Sequence, residues 1–213
     1  MNWGLIGAST IASQFMIDAI RAIDGNEVVA VFSSSDQRGE IYAEQHSIAK
    51  HTASLNDLLA DLQIDAVYIS TTNEKHKEQA LAAIAAGKHV VCEKPLAMNV
   101  ADAIEMVAAA ANAGVTFATN HHLRNAGSHL KIKELIQSGA IGAVQSIRIF
   151  NPVHYLKTCQ GGRIIIPPPG GGVTPATVVH NPDTVGFNLE KNQPPAVPTE
   201  RAQTRGTAVS RLL

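Results

Sequence analysis

The chain has 213 residues, of which 45% are apolar, and its formal net charge is −1. This charge offers no basic surface for nucleic acid or an anionic membrane, and aromatic residues, at 4%, are too few to favour base stacking. No apolar run approaches the ~20 residues of a membrane-spanning helix, and we expect no signal peptide. Two cysteines, Cys92 and Cys159, make no disulfide framework. These properties predict a cytoplasmic protein that acts on a small molecule.

Residues 1–150 predict alternating strands and helices. Short apolar runs alternate with Ala-rich stretches in which apolar residues recur at helical spacing. Such β-α units favour a doubly wound parallel sheet with ligands at the carboxyl ends of its strands. The predicted strands are 3–7, 28–33, a short edge strand near His51, 65–70, 89–93, 115–120 and 144–151. The predicted helices are 10–22 (capped by Ser9 or Thr10), 37–46 (capped by Asp36), 55–60 (capped by Ser54), 74–86, 100–113 and 125–138, the last three followed by Gly87, Gly114 and Gly139.

The first predicted strand-to-helix turn carries a degenerate dinucleotide fingerprint. Against the pattern G-x-G-x-x-G/A, Gly7 fits the first glycine and Ala12 the last small residue, while Ser9 replaces the middle glycine. Such a turn presents backbone N–H groups and a helix N-terminus to a pyrophosphate. The alternative is a plain strand–turn–helix connection, but its place at the start of a β-α series favours nucleotide binding.

The end of the second predicted strand indicates the type of cofactor. NAD-binding proteins usually place an acidic residue there for the ribose 2′-hydroxyl, and this sequence has none at the tip. The small side chains of Ser33 and Ser34 leave room for a 2′-phosphate, and Arg38 can supply positive charge. NADP(H) is therefore favoured. The alternative for Arg38 is an exposed arginine in the first turn of a helix.

The ends of the fourth and fifth predicted strands provide candidates for chemistry. Residues 70–73 are polar, His76 follows one turn later, and residues 92–95 read Cys-Glu-Lys-Pro. Pro95 biases Lys94 towards an extended backbone. A lysine ammonium can hydrogen-bond a carbonyl oxygen while a hydride is transferred, and can then deliver a proton. The alternative is a surface salt bridge.

Two adjacent histidines, His121 and His122, follow the sixth predicted strand. Their side chains would point apart on an extended chain, and no cysteine or carboxylate cluster completes a tetrahedral set. We therefore expect no metal site, and interpret both residues as substrate contacts or simple loop polarity.

Together, the motifs at residues 7–12, 72–76 and 93–95 resemble the glucose–fructose oxidoreductase / inositol dehydrogenase (Gfo/Idh/MocA) family. The resemblance covers roughly the first 150 residues and implies a Rossmann-type domain followed by an α+β domain. It also implies NADPH-dependent reduction of a cyclic sugar ketone. We predict a dinucleotide-binding domain at 1–120, a partial substrate and dimerisation domain at 121–189, and a disordered tail at 190–213.

The resemblance further implies roles for matching residues. Lys94 would be the catalytic lysine, and His180 a proton donor or substrate ligand. The implied cofactor-site residues are Gly7, Ser9, Thr10, Ile11 and Ala12 at the pyrophosphate; Ser33, Ser34 and Arg38 at the 2′-phosphate; Thr71, Thr72, Asn73 and His76 along the nicotinamide half; Glu93, Lys94 and Asn120 at the nicotinamide and substrate; and Arg163, in a segment that lacks the family's tryptophan.

The last part of the sequence departs from the family. Nine of the ten prolines fall in residues 151–213, Pro175 stands where a helix is expected, and Ala176 replaces an aspartate four residues before His180. The family's second domain also needs more residues than follow Val144, so we interpret the chain as truncated or frame-shifted. A homo-oligomer would require a complete second domain. The alternative function is a non-catalytic dinucleotide-binding module or an inactive truncated relative.

Overall fold

The structure, a computed structural model, describes residues 1–150 and 180–189. These residues fall into two units: residues 1–120 form the first, and the described residues from His121 onwards belong to the second. The predicted tail at 190–213, and the predictions at Arg163, Pro175 and Ala176, lie outside the described residues.

The first unit is built on a parallel sheet. Its strands are β1 (Asn2–Ile6), β2 (Glu27–Phe32), β3 (Lys50–Thr52), β4 (Ala66–Ile69), β5 (His89–Cys92) and β6 (Phe117–Thr119). The six strands are ordered β3-β2-β1-β4-β5-β6, and every neighbouring pair is parallel. The chain winds to one side of β1 and then to the other, which opens a crevice beyond the carboxyl ends of β1 and β4. The predicted doubly wound Rossmann-type sheet is confirmed.

Five helical segments connect these strands. Helix α1 contains a π-helical turn at Ala12–Met16 and continues at Ile17–Arg21; the others are α2 (Asp36–Gln45), α3 (Leu55–Ala60), α4 (His76–Ala85), preceded by a 3₁₀ turn at Asn73–Lys75, and α5 (Val100–Ala113). The predicted cap of α3 is confirmed, since Ser54 Oγ accepts a hydrogen bond from Asp57 N at 3.2 Å. The predicted cap of α2 is wrong. Ser35 has the extended backbone of a cap and accepts from Arg38 N, whereas Asp36 is already helical.

The core lies on the sheet. Every residue of β4 is buried, and Leu5 of β1 and Val90 of β5 are at most 1% exposed. Small residues cover these strands from α4, where Ala80 and Ala83 are fully buried. Continuous apolar strands of this kind are expected where helices cover both faces of a parallel sheet. Cys92 is buried at the end of β5.

Lys88 is a buried charge with a structural role. The residue is 6% exposed, and Nζ donates to the carbonyl oxygens of Asp61 and Ile64, both at 2.8 Å. Asp61 is the C-cap of α3 and Ile64 precedes β4, so the ammonium adds a charged donor to two carbonyls of the connecting loop. The Asp61 carbonyl also accepts from Ile64 N at 3.2 Å.

Replacing Lys88 with methionine is therefore expected to lower the free energy of unfolding by about 1–3 kcal/mol, because the buried carbonyl of Ile64 and the partly buried carbonyl of Asp61 lose a charged donor. Lys50→Met is the matched control. Lys50 reaches the carboxylate of the same Asp61 at 2.7 Å but is half exposed, so its loss should cost less than about 1 kcal/mol. Urea unfolding followed by circular dichroism measures both; equal losses in the two variants would contradict the prediction.

The second unit is described only in part. It contains a 3₁₀ turn at His122–Asn125, helix α6 (Gly127–Gln137) and helix α7 (His180–Leu189). The strand predicted at 144–151 is wrong for its described residues, 144–150, which pair with no described strand. Alternating polarity identifies a two-faced segment, but a strand also needs a hydrogen-bonded neighbour. Among the described residues, no helix has both the length and the apolar character needed to cross a bilayer.

Candidate functional site

The turn after β1 requires glycine at its first position. Gly7 has φ +114°, a region that L side chains rarely adopt. A Cβ there would also lie 3.1 Å from Thr71 Cγ2 and 3.3 Å from the carbonyl of Ser70. Gly7 N donates to Phe32 O at 3.0 Å, so the turn leaves the sheet at the junction of β1, β2 and β4.

Ser9, which stands in place of the middle glycine, organises the start of α1. Its hydroxyl donates to Ser70 Oγ at 2.7 Å and accepts from Ala12 N at 3.1 Å, which confirms it as a cap. Thr10 and Ile11 follow it at the exposed first turn, and Ala12 is fully buried. The small side chain of Ala12 therefore allows the close helix–sheet approach that the fingerprint predicted.

The π-helical turn of α1 contacts another predicted site residue. Met16, the last residue of this turn, places Sδ 3.7 Å from the side-chain amide of Asn120, which follows β6. π-helical turns recur at functional sites. The helix that begins at the dinucleotide fingerprint therefore also reaches the far side of the crevice.

The tip of β2 carries hydroxyl groups and one arginine. Ser33 is 1% exposed, and its Oγ accepts from Arg38 Nε at 3.1 Å. Ser34 and Arg38 are exposed. The first acidic residue after the strand, Asp36, lies 3.6 Å from His51 Nε2 on β3. The buried Ser33 therefore holds the exposed guanidinium of Arg38 by a hydrogen bond, and a guanidinium held in this way can bind a phosphate.

A buried carboxylate lies at the carboxyl end of the sheet. Glu93 is 8% exposed, and its Oε1 accepts from Tyr68 Oη at 2.6 Å and from Asn120 Nδ2 at 2.7 Å. Its Oε2 accepts from the backbone N–H of Lys94 at 3.2 Å. Burial, followed by the charge of Glu93, raises the pKa of Tyr68 well above its usual value, so the phenol remains a donor. Three donors thus fix the carboxylate that precedes the candidate catalytic lysine.

The loop after β4 is tied to the loop after β5. His76 is 1% exposed; its Nδ1 lies 2.9 Å from Pro95 O and its Nε2 lies 3.4 Å from Thr71 O. Thr71 Oγ1 also donates to the buried Gln79 at 2.5 Å, and Thr72 Oγ1 donates to Glu74. Because its ring nitrogens lie near backbone carbonyls of both loops, His76 links the loop after β4 to the loop after β5; its role along the nicotinamide half stays a prediction.

His180 begins α7 in the second unit. It is 8% exposed, and its ring lies edge-on to those of His122 and His121, with centroids 5.0 and 6.1 Å away. One turn later, Asp183 accepts from Arg124 Nε at 2.9 and 3.1 Å. No group of histidine, cysteine and carboxylate side chains that could hold a metal occurs in the described part of the chain.

The sequence analysis missed several residues that make these contacts. They include Tyr68 on β4, Met16 in α1, Tyr42 on α2, whose Oη donates to Ser9 O at 2.9 Å, and Asp183, which pairs with Arg124. In the first unit, the predicted site residues lie together at the carboxyl edge of the sheet. They are Gly7, Ser9, Thr10, Ile11, Ala12, Ser33, Ser34, Arg38, Thr71, Thr72, Asn73, His76, Glu93, Lys94 and Asn120.

The sheet is parallel, a turn that begins with glycine follows β1 where the strand order reverses, and polar residues line the carboxyl ends of the strands. These features define a dinucleotide-binding protein of the Rossmann class. Residues 1–121 match the GFO_IDH_MocA family, described as an oxidoreductase family with an NAD-binding Rossmann fold, and the chain belongs to that family. The family predicted from the motifs is confirmed.

One curated relative is a 1,5-anhydro-D-fructose reductase from Ensifer adhaerens. It is 51% identical over 196 residues, which cover 92% of this chain and 59% of that protein. This chain therefore spans somewhat more than half the length of that relative.

Two solved structures show the same fold. An NAD-binding protein from Listeria innocua has a TM-score of 0.70 and 30% identity, with 90% of this chain and 55% of that chain covered. A 3-ketoreductase from Actinomadura kijaniata, solved with NADP and TDP-benzene, has a TM-score of 0.63 and 28% identity, with 68% and 44% covered.

Proposed function

We propose that this protein is an NADPH-dependent reductase of a cyclic sugar ketone, which converts 1,5-anhydro-D-fructose to 1,5-anhydro-D-mannitol. The observation that carries the proposal is the 51% identity to a reductase of that name over 92% of the chain. The hydrogen-bonded residues Glu93 and Lys94 also support it, because they lie at the carboxyl-terminal edge of the sheet, where ligands bind in a doubly wound fold.

The residues of the first unit fit a dinucleotide. Gly7 leaves a cradle that a Cβ would fill, and Ser9 caps a helix whose first N–H groups follow it at Thr10 and Ile11. Helix N-termini attract phosphate groups through these N–H groups and through the helix dipole. In the proposal, this turn holds the pyrophosphate, while Thr71, Thr72, Asn73 and His76 lie along the nicotinamide half.

The 2′-phosphate would distinguish the two cofactors. In the proposal, Arg38 forms charge-assisted hydrogen bonds with that phosphate, and Ser33 holds the guanidinium in place. An Asp or Glu at the tip of β2 would instead have favoured a ribose hydroxyl.

Lys94 is the proposed proton donor. When bound, a nicotinamide would supply the hydride that the carbonyl carbon accepts. The Lys94 ammonium would hydrogen-bond the carbonyl oxygen and transfer a proton to it. Glu93 and Asn120 hold the lysine's backbone at the edge of the sheet. The proposal also keeps His180 as a second proton donor or substrate ligand, and Arg163 as a cofactor-site residue, on the family resemblance alone. The division into a nucleotide domain at 1–120 and a partial substrate domain at 121–189 belongs to the same proposal.

The purified chain tests the proposal through oxidation of NADPH in the presence of 1,5-anhydro-D-fructose. We expect turnover with NADPH to exceed turnover with NADH by about tenfold or more, since a charged hydrogen bond to the 2′-phosphate contributes on the order of 1.5–3 kcal/mol. Product analysis by chromatography identifies the anhydro-alditol.

Two outcomes contradict the proposal in different ways. Binding of NADPH without turnover would support the non-catalytic dinucleotide-binding module. Faster turnover with NADH would reject the role of Ser33 and Arg38 while leaving the reductase activity in place.

A further inference from the structure

We infer that Tyr42 is a positioning residue for the pyrophosphate turn, and that helix α2 thereby links this turn to the 2′-phosphate contact. The inference rests on the proposed dinucleotide site and goes beyond it, because Tyr42 belongs to neither the glycine fingerprint nor the tip of β2. It assigns to Tyr42 a function in cofactor binding that acts through its contact with Ser9.

The contact joins two segments that are distant in sequence. Tyr42 lies in α2, and its Oη donates to the carbonyl oxygen of Ser9 at 2.9 Å, across 33 residues of sequence. The side chain is buried at 8% exposure, and its ring packs against His46 with centroids 4.5 Å apart. A phenol held by its own helix in this way directs its hydroxyl at one place on the turn.

The hydroxyl is a donor throughout the physiological pH range. Burial raises the pKa of Tyr42 to about 12, although a hydrogen bond with the Ser13 side chain opposes this rise. A neutral phenol is required, because a carbonyl oxygen can only accept a hydrogen bond. The contact between Tyr42 and Ser9 should therefore not vary with pH where the enzyme is assayed.

Every polar group of Ser9 is held. Its N–H donates to Gly7 O at 2.9 Å, and its hydroxyl is engaged by Ser70 and Ala12. Its carbonyl oxygen accepts both Ser13 N at 3.1 Å and Tyr42 Oη. Of these contacts, the one from Tyr42 comes from α2, so it holds the turn against a different helix. The next two N–H groups, those of Thr10 and Ile11, take their direction from this fixed peptide.

The same helix carries the proposed cation for the 2′-phosphate. Arg38 and Tyr42 are four residues apart in α2 and therefore lie on one face of it. Arg38 Nε contacts Ser33 at the tip of β2, whereas Tyr42 contacts Ser9 after β1. One helix face thus holds both ends of the phosphate-binding region at a set separation.

The two residues should be distinguishable by cofactor. NADPH and NADH share the pyrophosphate, so the loss of the Tyr42 hydroxyl should weaken both by the same factor. Only NADPH carries the 2′-phosphate, so the loss of the Arg38 charge should weaken NADPH alone. Adenosine 2′-monophosphate lacks the pyrophosphate and should respond to Arg38 and not to Tyr42.

The test compares Tyr42→Phe and Arg38→Gln in the full chain, with dissociation constants for NADPH, NADH and adenosine 2′-monophosphate from fluorescence and calorimetric titration. Tyr42→Phe should raise the constants of NADPH and NADH about threefold to tenfold each, the range of one hydrogen bond, and leave their ratio unchanged. Arg38→Gln should raise the constants of NADPH and adenosine 2′-monophosphate only.

Trp3→Phe is the matched control for a purely structural effect. Trp3 Nε1 donates to Asn26 Oδ1 at 2.9 Å, a buried aromatic hydrogen bond at the opposite end of β1. Trp3→Phe should lower the melting temperature of the protein without changing the dissociation constants for NADPH and NADH. If Tyr42→Phe behaves like Trp3→Phe, or weakens NADPH alone, the inference is overturned. If the wild-type chain binds neither cofactor, the proposed function fails and the inference fails with it.

Discussion

Replacing Lys94 with alanine is expected to lower turnover by about 10²–10⁴-fold, the usual contribution of a positioned acid or base, with little change in the affinity for NADPH. The expectation follows from the location of Lys94 at the carboxyl end of β5, where its backbone N–H is bound by Glu93. That carboxylate is itself held by Tyr68 and Asn120. The substitution should therefore slow the chemical step without destabilising the fold.

The variant Lys94→Arg separates charge from proton transfer. A guanidinium keeps the positive charge but does not release its proton near neutral pH. If Lys94 delivers a proton, Lys94→Arg should be nearly as slow as Lys94→Ala. Steady-state rates at saturating 1,5-anhydro-D-fructose, together with NADPH titrations, measure this. Recovery of most of the turnover in Lys94→Arg would show that the charge alone suffices, and full activity in Lys94→Ala would reject the catalytic role.

Periodicity predicts the sheet well because each β-α unit is a local pattern. Strands β4 and β5 read as short apolar runs, since both of their faces are buried, and Gly114 ends α5 with φ +67° as its position predicts. The helix cap at α2 was less predictable. Ser34, Ser35 and Asp36 are all good caps, and only the backbone conformation selects Ser35.

Contacts between distant segments leave little trace in the sequence. Tyr42 contacts Ser9 across 33 residues and Tyr68 contacts Glu93 across 25, and neither tyrosine stands in a motif. A tyrosine in an apolar strand predicts burial, but the partner of its hydroxyl depends on strand order. The same limit explains residues 144–150, where alternation indicates a strand but cannot supply a neighbour.

The histidines illustrate the difference between a motif and a role. His76 belongs to the motif that the family resemblance singled out, and the motif correctly places it near the loops of the site. The burial of His76 could not be inferred from the sequence, because a histidine one helical turn after residues 70–73 could equally face a ligand. At 1% exposure, with its ring nitrogens near two backbone carbonyls, His76 links the two loops, and its role at the cofactor stays a prediction.

Gly7→Ala is expected to abolish most of the cofactor affinity. At φ +114° an alanine is strained by about 1–3 kcal/mol. The new Cβ would also lie 3.3 Å from the backbone carbonyl of Ser70, which cannot move without disturbing the end of β4. The turn must therefore change its backbone conformation, and the N–H groups proposed to bind the pyrophosphate change direction with it. If this backbone change relieves the strain but weakens the hydrogen bonds from these N–H groups to the cofactor, the dissociation constant for NADPH rises by about tenfold or more, since 1.4 kcal/mol corresponds to a factor of ten.

Gly25→Ala is the control that separates this effect from backbone strain in general. Gly25 also has a positive φ, +77°, but a Cβ there meets nothing within 4 Å. This variant should lose about 1 kcal/mol of stability and keep the wild-type affinity for NADPH, because its turn lies at the amino end of β2. Fluorescence titration with NADPH and thermal unfolding of both variants measure the two effects. Equal affinities in Gly7→Ala and Gly25→Ala would mean that the turn after β1 does not shape the phosphate site, since crowding against Ser70 and Thr71 is what distinguishes the two glycines.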